Sequence, residues 1–167
     1  DVLFRPDRMK YVRKLIHPEG CVFCNATKTA SSLENLCVYQ TQYSAVVLNK
    51  FPYNPGHVLV IPKSHQGDIL KLSDEAFDDL HRLTREVIAA LTTVYNPGGI
   101  NVGLNLGAVA GAGIPEHLHY HVIPRWSGDL NFFPLIAETK TVVETLETTF
   151  ERLLAYFESA KKEKAST

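Results

Sequence analysis

The chain has 167 residues, of which 45% are hydrophobic, and its 17 basic and 18 acidic side chains leave a formal net charge of -1. This length and composition predict one domain, covering residues 1–167, with a buried core. The near-zero charge removes the electrostatic basis for binding a nucleic acid polymer or an anionic membrane surface. Because no apolar run approaches a membrane span and no signal segment opens the chain, we expect a cytoplasmic protein with no membrane partner.

Five short runs rich in Val, Leu, Ile and Tyr are interpreted as β-strands, because their apolar residues are continuous or alternate with polar ones. They cover residues 36–39, 43–48, 57–61, 100–106 and 117–123. Segments rich in Gly, Pro and Asn separate the runs and supply the turns. Residues 1–20, before the first cysteine, are interpreted as an N-terminal arm.

Two helices are predicted. The first lies between the third and fourth strands, with Ser73 as its N-cap, acidic residues in its first turn and an end near residues 96–99. The second covers residues 139–160 and is followed by a frayed tail at 161–167. Its apolar stripe consists of Val142, Val143, Leu146, Phe150, Leu153, Leu154 and Phe157. Strands in a meander with helices on one face predict an α+β domain.

Three cysteines, two of them in a C-x-x-C pair, suit a reducing compartment and metal binding better than a disulfide framework. A C-x-x-C turn presents Cys21 and Cys24 to one tetrahedral ion, which is half of a metal site. Cys37 lies on a predicted strand and is expected to be a small core residue.

The segment at 117–121 places three histidines in five residues, alternating with apolar residues at strand spacing. On a strand, the imidazoles of His117, His119 and His121 would point to one face, with the outer two roughly 13 Å apart. That span is too long for one small ion, so the three histidines must divide their roles. A glycine-rich loop, residues 107–113, leads into this segment and offers backbone amides.

Two segments carry a resemblance to a known family. The run His-Leu-His-Tyr-His-Val-Ile at 117–123 and the run Pro-Gly-His-Val-Leu-Val-Ile-Pro at 55–62 resemble the histidine triad (HIT) superfamily of nucleotide hydrolases and transferases. Residues 8–11, 21–24 and 125–134 are similar to the branch that includes bacterial diadenosine tetraphosphate phosphorylases. The resemblance implies a five-stranded antiparallel sheet with two main helices, a homodimer, and an adenine nucleotide or dinucleoside polyphosphate as ligand.

The resemblance also implies roles for individual residues. His119 would attack the α-phosphorus and carry the nucleotidyl group, while His57 and His121 would surround the phosphate. A backbone carbonyl is expected to hold the far ring nitrogen of the nucleophile. Asn105 would lie near the phosphates and Asn49 on the ribose. From the residues alone, both asparagines could equally be polar groups that end strands.

Further ligand contacts are expected around the loop and the tail of the motif. The glycines Gly111 and Gly113 would offer free amides to an anion, and Trp126 belongs to the motif that favours the phosphorylase branch. Phe23 and Leu48 are candidates for the base slot, although core residues would look the same.

The resemblance completes the metal site. His65 and His117 match the third and fourth ligands of zinc-bearing relatives, so a closed structural zinc site with Cys21 and Cys24 is expected. The alternative is two buried reduced cysteines and two surface histidines.

Several functions stay open at this level. The glutamine of many HIT hydrolases is absent before the triad, and Gly113 lacks the serine hydroxyl of the phosphorylase branch, so the acceptor is water or inorganic phosphate, with phosphate favoured. A hydrolase releasing AMP, or a nucleotide-binding or sensing module with negligible turnover, is the alternative. A hydrolytic metal site built from the triad is disfavoured by the 13 Å span estimated above.

Overall fold

A computed structural model describes residues 20–129 and 143–166. Its strands are β1 Cys37–Gln40, β2 Ser44–Leu48, β3 Val58–Pro62, β4 Gly99–Leu104 and β5 Tyr120–Arg125. Its helices are α1 Val22–Thr27, α2 Asp74–Tyr95 and α3 Leu146–Ala165, with 3-10 turns at Ile69–Lys71 and Ala108–Ala110. The predicted strands are all present, with ends that differ by at most three residues.

The five strands form one antiparallel sheet in the order β1-β2-β3-β5-β4. The α+β class and the five-stranded antiparallel sheet are thereby confirmed. The expected meander is wrong, because α2 carries the chain from β3 to the far edge and β5 then returns between β3 and β4. This insertion places Val58 opposite Val122 and Leu59 opposite His121, so the start of β3 lies beside the histidine segment.

The long helix α2 begins and ends where its capping residues require. The Ser73 hydroxyl accepts a hydrogen bond from the Ala76 N–H at 3.3 Å, and Asp74 and Glu75 occupy the first turn, where the helix dipole favours negative charge. Asn96 adopts the left-handed conformation that ends many helices. The predicted helix is confirmed at both ends.

The sheet is covered on both faces. On one face, α2 and α3 pack against alternate residues of the central strands, including Val58, Val60 and Val122. On the other face, α1 packs through Phe23 and Ala26 against the opposite set of strand residues, among them Leu59. Burial on both sides explains why β2 and β3 are continuous apolar runs rather than alternating ones, and each fully buried aliphatic side chain contributes about 1.5–3 kcal/mol. Cys37 lies in this core, as expected.

Three expectations about element boundaries and coverage are wrong. β5 begins at Tyr120 rather than at residue 117, because the His117 N–H donates to the Ile114 carbonyl and the Leu118 N–H to the Gln66 carbonyl, outside the pairing with β3. α3 begins at Leu146, since Thr145 caps it through the Thr148 N–H, and Val143 before it is 85% exposed. The helix continues to Ala165, so 161–165 is not a frayed tail. Residues 1–19, 130–142 and 167 lie outside the described residues, including the proposed arm and positions 139–142 of the predicted helix.

The short helix α1 is not predicted from the sequence, because the C-x-x-C segment is interpreted there as a turn. Its six residues are too few to show helical periodicity, and its apolar contacts with the sheet stabilise it. Within the described ranges, none of the helices combines the length and the apolar character that crossing a bilayer requires.

Candidate active site and metal centre

Four side chains predicted to bind zinc meet in one cluster. The ligand atoms of Cys21, Cys24, His65 and His117 all lie within 4.8 Å of one another. The His117 Nδ1 atom is 3.3 Å from the Cys21 Sγ and 3.6 Å from the Cys24 Sγ, and the Cys24 Sγ is 3.4 Å from the His65 Nδ1. Ligand atoms around tetrahedral zinc are separated by about 3.3–3.8 Å, so these spacings fit the ion.

Three separate segments of the chain bring this cluster together. The two cysteines lie at the start of α1, His65 follows β3, and His117 precedes β5. The last two segments are joined where the Leu118 N–H donates to the Gln66 carbonyl at 2.8 Å. They also touch at Gly67, where a Cβ atom would collide with the Pro115 carbonyl oxygen. Glycine at this position therefore permits the close approach that places His65 beside His117.

A backbone contact prepares His117 for metal binding. Its Nε2–H donates to the Pro62 carbonyl at 2.8 Å. Since a carbonyl only accepts, the proton of the neutral ring lies on Nε2, and the Nδ1 lone pair faces the two thiols. His117 is 1% exposed, and burial lowers its pKa, which favours the neutral ring. The donor set and its orientation thus fit a closed zinc site, in which the ion would join α1 to the histidine segment.

The next histidine along the chain is oriented by the same residue. The Nδ1–H of His119 donates to the His117 carbonyl at 2.8 Å, as the sequence predicts for the nucleophile, so its Nε2 carries the lone pair. His119 is 5% exposed, and burial lowers its pKa, which also favours the neutral ring. The Phe23 ring packs against both imidazoles, with centroids 5.3 Å from His117 and 5.1 Å from His119.

The remaining two predicted active-site histidines contact each other. The His57 Nε2 is 3.0 Å from the His121 Nδ1, and the ring centroids of His119 and His121 are 5.3 Å apart. Burial, and then the nearby His119, lowers the pKa of His121 to about 4. The structure therefore gathers the three predicted catalytic histidines into one group of imidazoles, and His121 is neutral at physiological pH.

One of the two predicted asparagines borders this group, and the other lies against the glycine-rich loop. The Asn49 side-chain nitrogen lies within 3.4 Å of both His57 ring nitrogens, and its Oδ1 accepts from the Phe51 N–H at 2.9 Å. Asn105 lies against the glycine-rich loop, where its Nδ2 would be 3.6 Å from a Cβ at Gly111. Both predicted residues thus lie near the histidines or the loop that leads to them.

The glycine-rich loop differs from the expectation. The Gly111 N–H donates to the Ala108 carbonyl at 3.0 Å, and the Ala112 N–H donates to the Gly107 carbonyl at 3.3 Å. The expected free amide at Gly111 is therefore wrong, and its φ of 93° shows that this glycine serves the turn. Gly113 takes part in none of these loop bonds, and a Cβ there would meet no atom of residues 20–129 or 143–166 within 4 Å.

Trp126 is placed away from the histidines. It lines a cavity of about 480 Å³ together with Tyr95, Glu144 and Arg152, and none of the histidines within the described ranges borders this cavity. Its expected contact with a nucleotide bound at the triad has no support in this arrangement. Leu48 lies in the core on the helix face, whereas Phe23 packs on the histidines. Of the two base-slot candidates, only Phe23 borders the site.

The sequence analysis does not predict Tyr53 and Asn54, two residues of the turn that precedes His57 and β3. The Tyr53 N–H donates to the His57 Nδ1 at 3.0 Å, and its ring lies 4.9 Å from the His57 ring. Asn54 is 1% exposed, and its side chain donates to the Pro124 carbonyl, which joins this turn to the end of β5. The run Tyr-Asn-Pro-Gly before His57 indicates a turn, but nothing local shows which atoms the turn presents.

Comparisons with known proteins bear on the family and the fold. Residues 31–128 match the model of the HIT domain family. AP-4-A phosphorylase of Mycobacterium tuberculosis is 42% identical over 125 residues, which cover 75% of this chain and 64% of that protein, so the chain spans less than two thirds of this relative. An asymmetrical bis(5'-nucleosyl)-tetraphosphatase of Schizosaccharomyces pombe is 36% identical over 93 residues, 56% of this chain and 50% of that protein. A zinc-bound histidine triad family protein of Mycobacterium smegmatis has a similar fold, with a TM-score of 0.67 and 25% identity over 86% of this chain and 97% of that one.

Proposed function

Because the chain belongs to the HIT domain family, we propose that it is an enzyme that cleaves a dinucleoside polyphosphate through a nucleotidyl group carried on His119. One observation carries the proposal. The bond from the His119 Nδ1–H to the His117 carbonyl leaves a lone pair on Nε2 of a buried, neutral imidazole. A neutral imidazole with one committed nitrogen is suited to attack phosphorus and to leave it again.

The reaction has two displacement steps. In diadenosine tetraphosphate, the His119 Nε2 lone pair attacks an α-phosphorus, and the P–O bond to the rest of the molecule breaks, so that ATP departs with the bonding electrons. An acceptor oxygen then attacks the same phosphorus, and the P–N bond breaks to return the electron pair to Nε2. Both steps depend on positioning and on stabilising charge on the phosphate oxygens, which His121 would provide, whereas His57 donates its ring proton to His121 and so is not the phosphate donor that the sequence predicts.

Inorganic phosphate is the acceptor that we favour. The similarity to a protein named AP-4-A phosphorylase supports this choice, and so does the open space beside Gly113 at the end of the loop. Phosphate as acceptor yields ADP from the adenylyl group. Water is the second candidate and yields AMP, which the similarity to a tetraphosphatase supports.

We also propose a structural zinc ion, supported by the four donors and by the zinc-bound relative. A closed site of two thiolates and two imidazoles adds folding free energy. The three free cysteines, two of them in this cluster, support a reducing, cytoplasmic location.

A homodimer is proposed from the edge strand β4. Most of its residues are exposed, including Val102 at 45%, and in the described part of the chain β4 pairs only with β5. An open strand edge favours pairing with another strand, and a second copy offers an identical one. Light scattering on the purified protein should give twice the mass of the chain; a monomer at all concentrations would contradict this part of the proposal.

Product analysis tests the reaction. The protein is incubated with diadenosine tetraphosphate with and without millimolar phosphate, and nucleotides are separated by chromatography. We expect ADP and ATP when phosphate is present. AMP with ATP at every phosphate concentration would identify a hydrolase, and unchanged substrate would identify a binding module. The His119→Asn variant, purified in the same way, controls for contaminating activity.

A further inference from the structure

The turn before β3 is tied to the end of β5 by one buried side chain. The two Nδ2 hydrogens of Asn54 are directed to the Pro124 carbonyl, at 2.7 Å, and to the Asp129 Oδ2, at 2.8 Å. Both partners are at least 70 residues away along the chain. Pro124 lies three residues beyond His121 on the same strand, so this contact holds the turn against the strand that carries the imidazoles.

Asp129 is itself held in place. Arg125 donates to both of its carboxylate oxygens, from Nε at 2.6 Å and from a terminal nitrogen at 2.9 Å, and the Trp126 N–H adds a third donor at 3.3 Å. A two-point contact between guanidinium and carboxylate fixes the carboxylate plane as well as its position. The second terminal nitrogen of Arg125 donates to Asn101 on β4 at 2.6 Å. The acceptor that Asn54 uses is therefore anchored to the sheet.

The turn held by Asn54 determines the tautomer of His57. The Tyr53 N–H points at the His57 Nδ1, and the His57 N–H donates to the Asn54 carbonyl at 3.2 Å. Because a backbone N–H can only donate, Nδ1 accepts, and the proton of the neutral ring lies on Nε2. That Nε2–H then donates to the His121 Nδ1 at 3.0 Å.

The same reasoning assigns the tautomer of His121, the hydrogen-bond partner of His57. His121 accepts at Nδ1, so its own proton lies on Nε2. His119, by contrast, donates from Nδ1 and carries its lone pair on Nε2. His119 and His121 are thus held in opposite tautomers. The His117 carbonyl fixes His119 directly, and the Tyr53 amide fixes His121 through the ring of His57. His119 is a nucleophile, and His121 is a hydrogen-bond donor for a phosphate oxygen.

We propose that Asn54 is a positioning residue, which holds the Tyr53 amide against His57 and so directs the Nε2–H of His121 toward the reacting phosphate. Its role in turnover rests on the proposed function. Its role in setting the tautomers of His57 and His121 does not, and can be measured without substrate.

Histidine tautomers are observed directly in long-range proton–nitrogen correlation spectra of the ¹⁵N-labelled protein at neutral pH, with His57→Gln and His121→Gln used for assignment. In the wild-type protein we expect Nε2–H tautomers at both positions. In Asn54→Ala the two rings should become tautomer mixtures, while His119 stays Nδ1–H because its carbonyl partner is untouched. Asp129→Asn, which keeps the shape of the anchor but removes its charge, should give a smaller change in the same direction.

Asn35→Ala is the matched control. Asn35 also makes several side-chain hydrogen bonds in a loop, to residues 29–37, but contacts none of the active-site histidines. It should leave the tautomers of His57, His119 and His121 unchanged. Nδ1–H tautomers at His57 or His121 in the wild-type protein would overturn the proposal, as would wild-type tautomers in both Asn54→Ala and Asp129→Asn. If Asn54→Ala does not fold, Asp129→Asn decides the question alone.

Kinetics give the second readout. With diadenosine tetraphosphate we expect Asn54→Ala to lower kcat about tenfold with KM within about twofold, because the donor is misdirected while the binding surface remains. Asn35→Ala should keep the wild-type kcat. An unchanged kcat in a variant with altered tautomers would refute the catalytic role. Absence of turnover in the wild-type protein would refute the proposed function and leave the tautomer result standing.

Discussion

The two ends of the segment 117–121 are organised in different ways. The metal half, consisting of Cys21, Cys24, His65 and His117, is assembled from side chains of three segments that converge on one point. The imidazole half, consisting of His57, His119 and His121, is oriented by backbone groups, namely the His117 carbonyl and the Tyr53 amide. The proposed zinc ion would link the side chains of the metal half, whereas the imidazole half is already oriented by the folded chain.

His117 belongs to the metal half and also orients a residue of the imidazole half, so the influence runs in one direction. Its ring faces the two thiols, and its carbonyl holds the ring of His119. Phe23, between the two cysteines, packs on both imidazoles. Damage to the metal half should therefore spread to the imidazole half. A substitution of His119 should leave the metal half unchanged, because the His117 carbonyl orients His119 and not the reverse.

The largest expected effect is confined to the imidazole half. In His119→Asn, kcat for diadenosine tetraphosphate should fall by at least about a thousandfold, because an amide can donate to the His117 carbonyl but cannot form a covalent bond to phosphorus. Zinc content and Tm should stay at wild-type values. The measurements are initial rates, elemental analysis and thermal unfolding. His81→Asn, at an exposed histidine on α2, is the control, and turnover within tenfold of wild type in His119→Asn would refute the nucleophile assignment.

Loss of one ligand in the metal half should have an intermediate effect and should also lower the activity of the imidazole half. Cys24→Ser should abolish stoichiometric zinc and lower Tm by roughly 10 °C, as expected when a closed site loses a ligand worth about 3 kcal/mol or more. The kcat should fall about tenfold, because His117 loses the partner that holds its ring while the nucleophile remains. Elemental analysis, unfolding and rates measure the three quantities.

Cys37→Ala is the matched control for the metal half, because Cys37 is buried in the core and lies outside the cluster. It should keep one zinc per chain. Wild-type protein purified without chelator that contains no zinc, or zinc retained fully in Cys24→Ser, would contradict the assignment of the metal half.

The smallest expected effect concerns protons in the imidazole half. Burial, followed by the nearby His119, lowers the pKa of His121 from 6.5 to about 4, so between these values the unfolded chain binds a proton that the folded chain excludes. This group therefore destabilises the folded state as the pH falls from about 6.5 to 4. Tm should decline less steeply across this range in His121→Gln than in the wild-type protein, whereas Asn35→Ala, which removes no ionisable group, should follow the wild-type slope. Equal slopes for wild type and His121→Gln would count against a buried neutral His121.

Much of the molecule could be predicted from patterns a few residues long. Ser73 caps α2 because a hydroxyl there satisfies an unpaired amide of the first turn, and this requirement is visible in any sequence. The spacing of Cys21 and Cys24 and of the three histidines likewise indicates their chemistry directly. The resemblance then supplied the ligand set and the nucleophile, because those roles are attached to short motifs.

The tertiary structure decided everything that depends on residues far apart in the chain. Cys21 and His117 are 96 positions apart, and only the packing of α1 on the sheet brings them together. The register of β3 against β5 places His57 beside His121, and no local pattern specifies a register between strands more than 50 residues apart. The ring nitrogens that carry protons follow from the carbonyls and amides that each imidazole meets. Trp126 and Asn54 show the same limit, since a turn residue contacts whatever the fold brings to it, and the chain around it does not encode that partner locally.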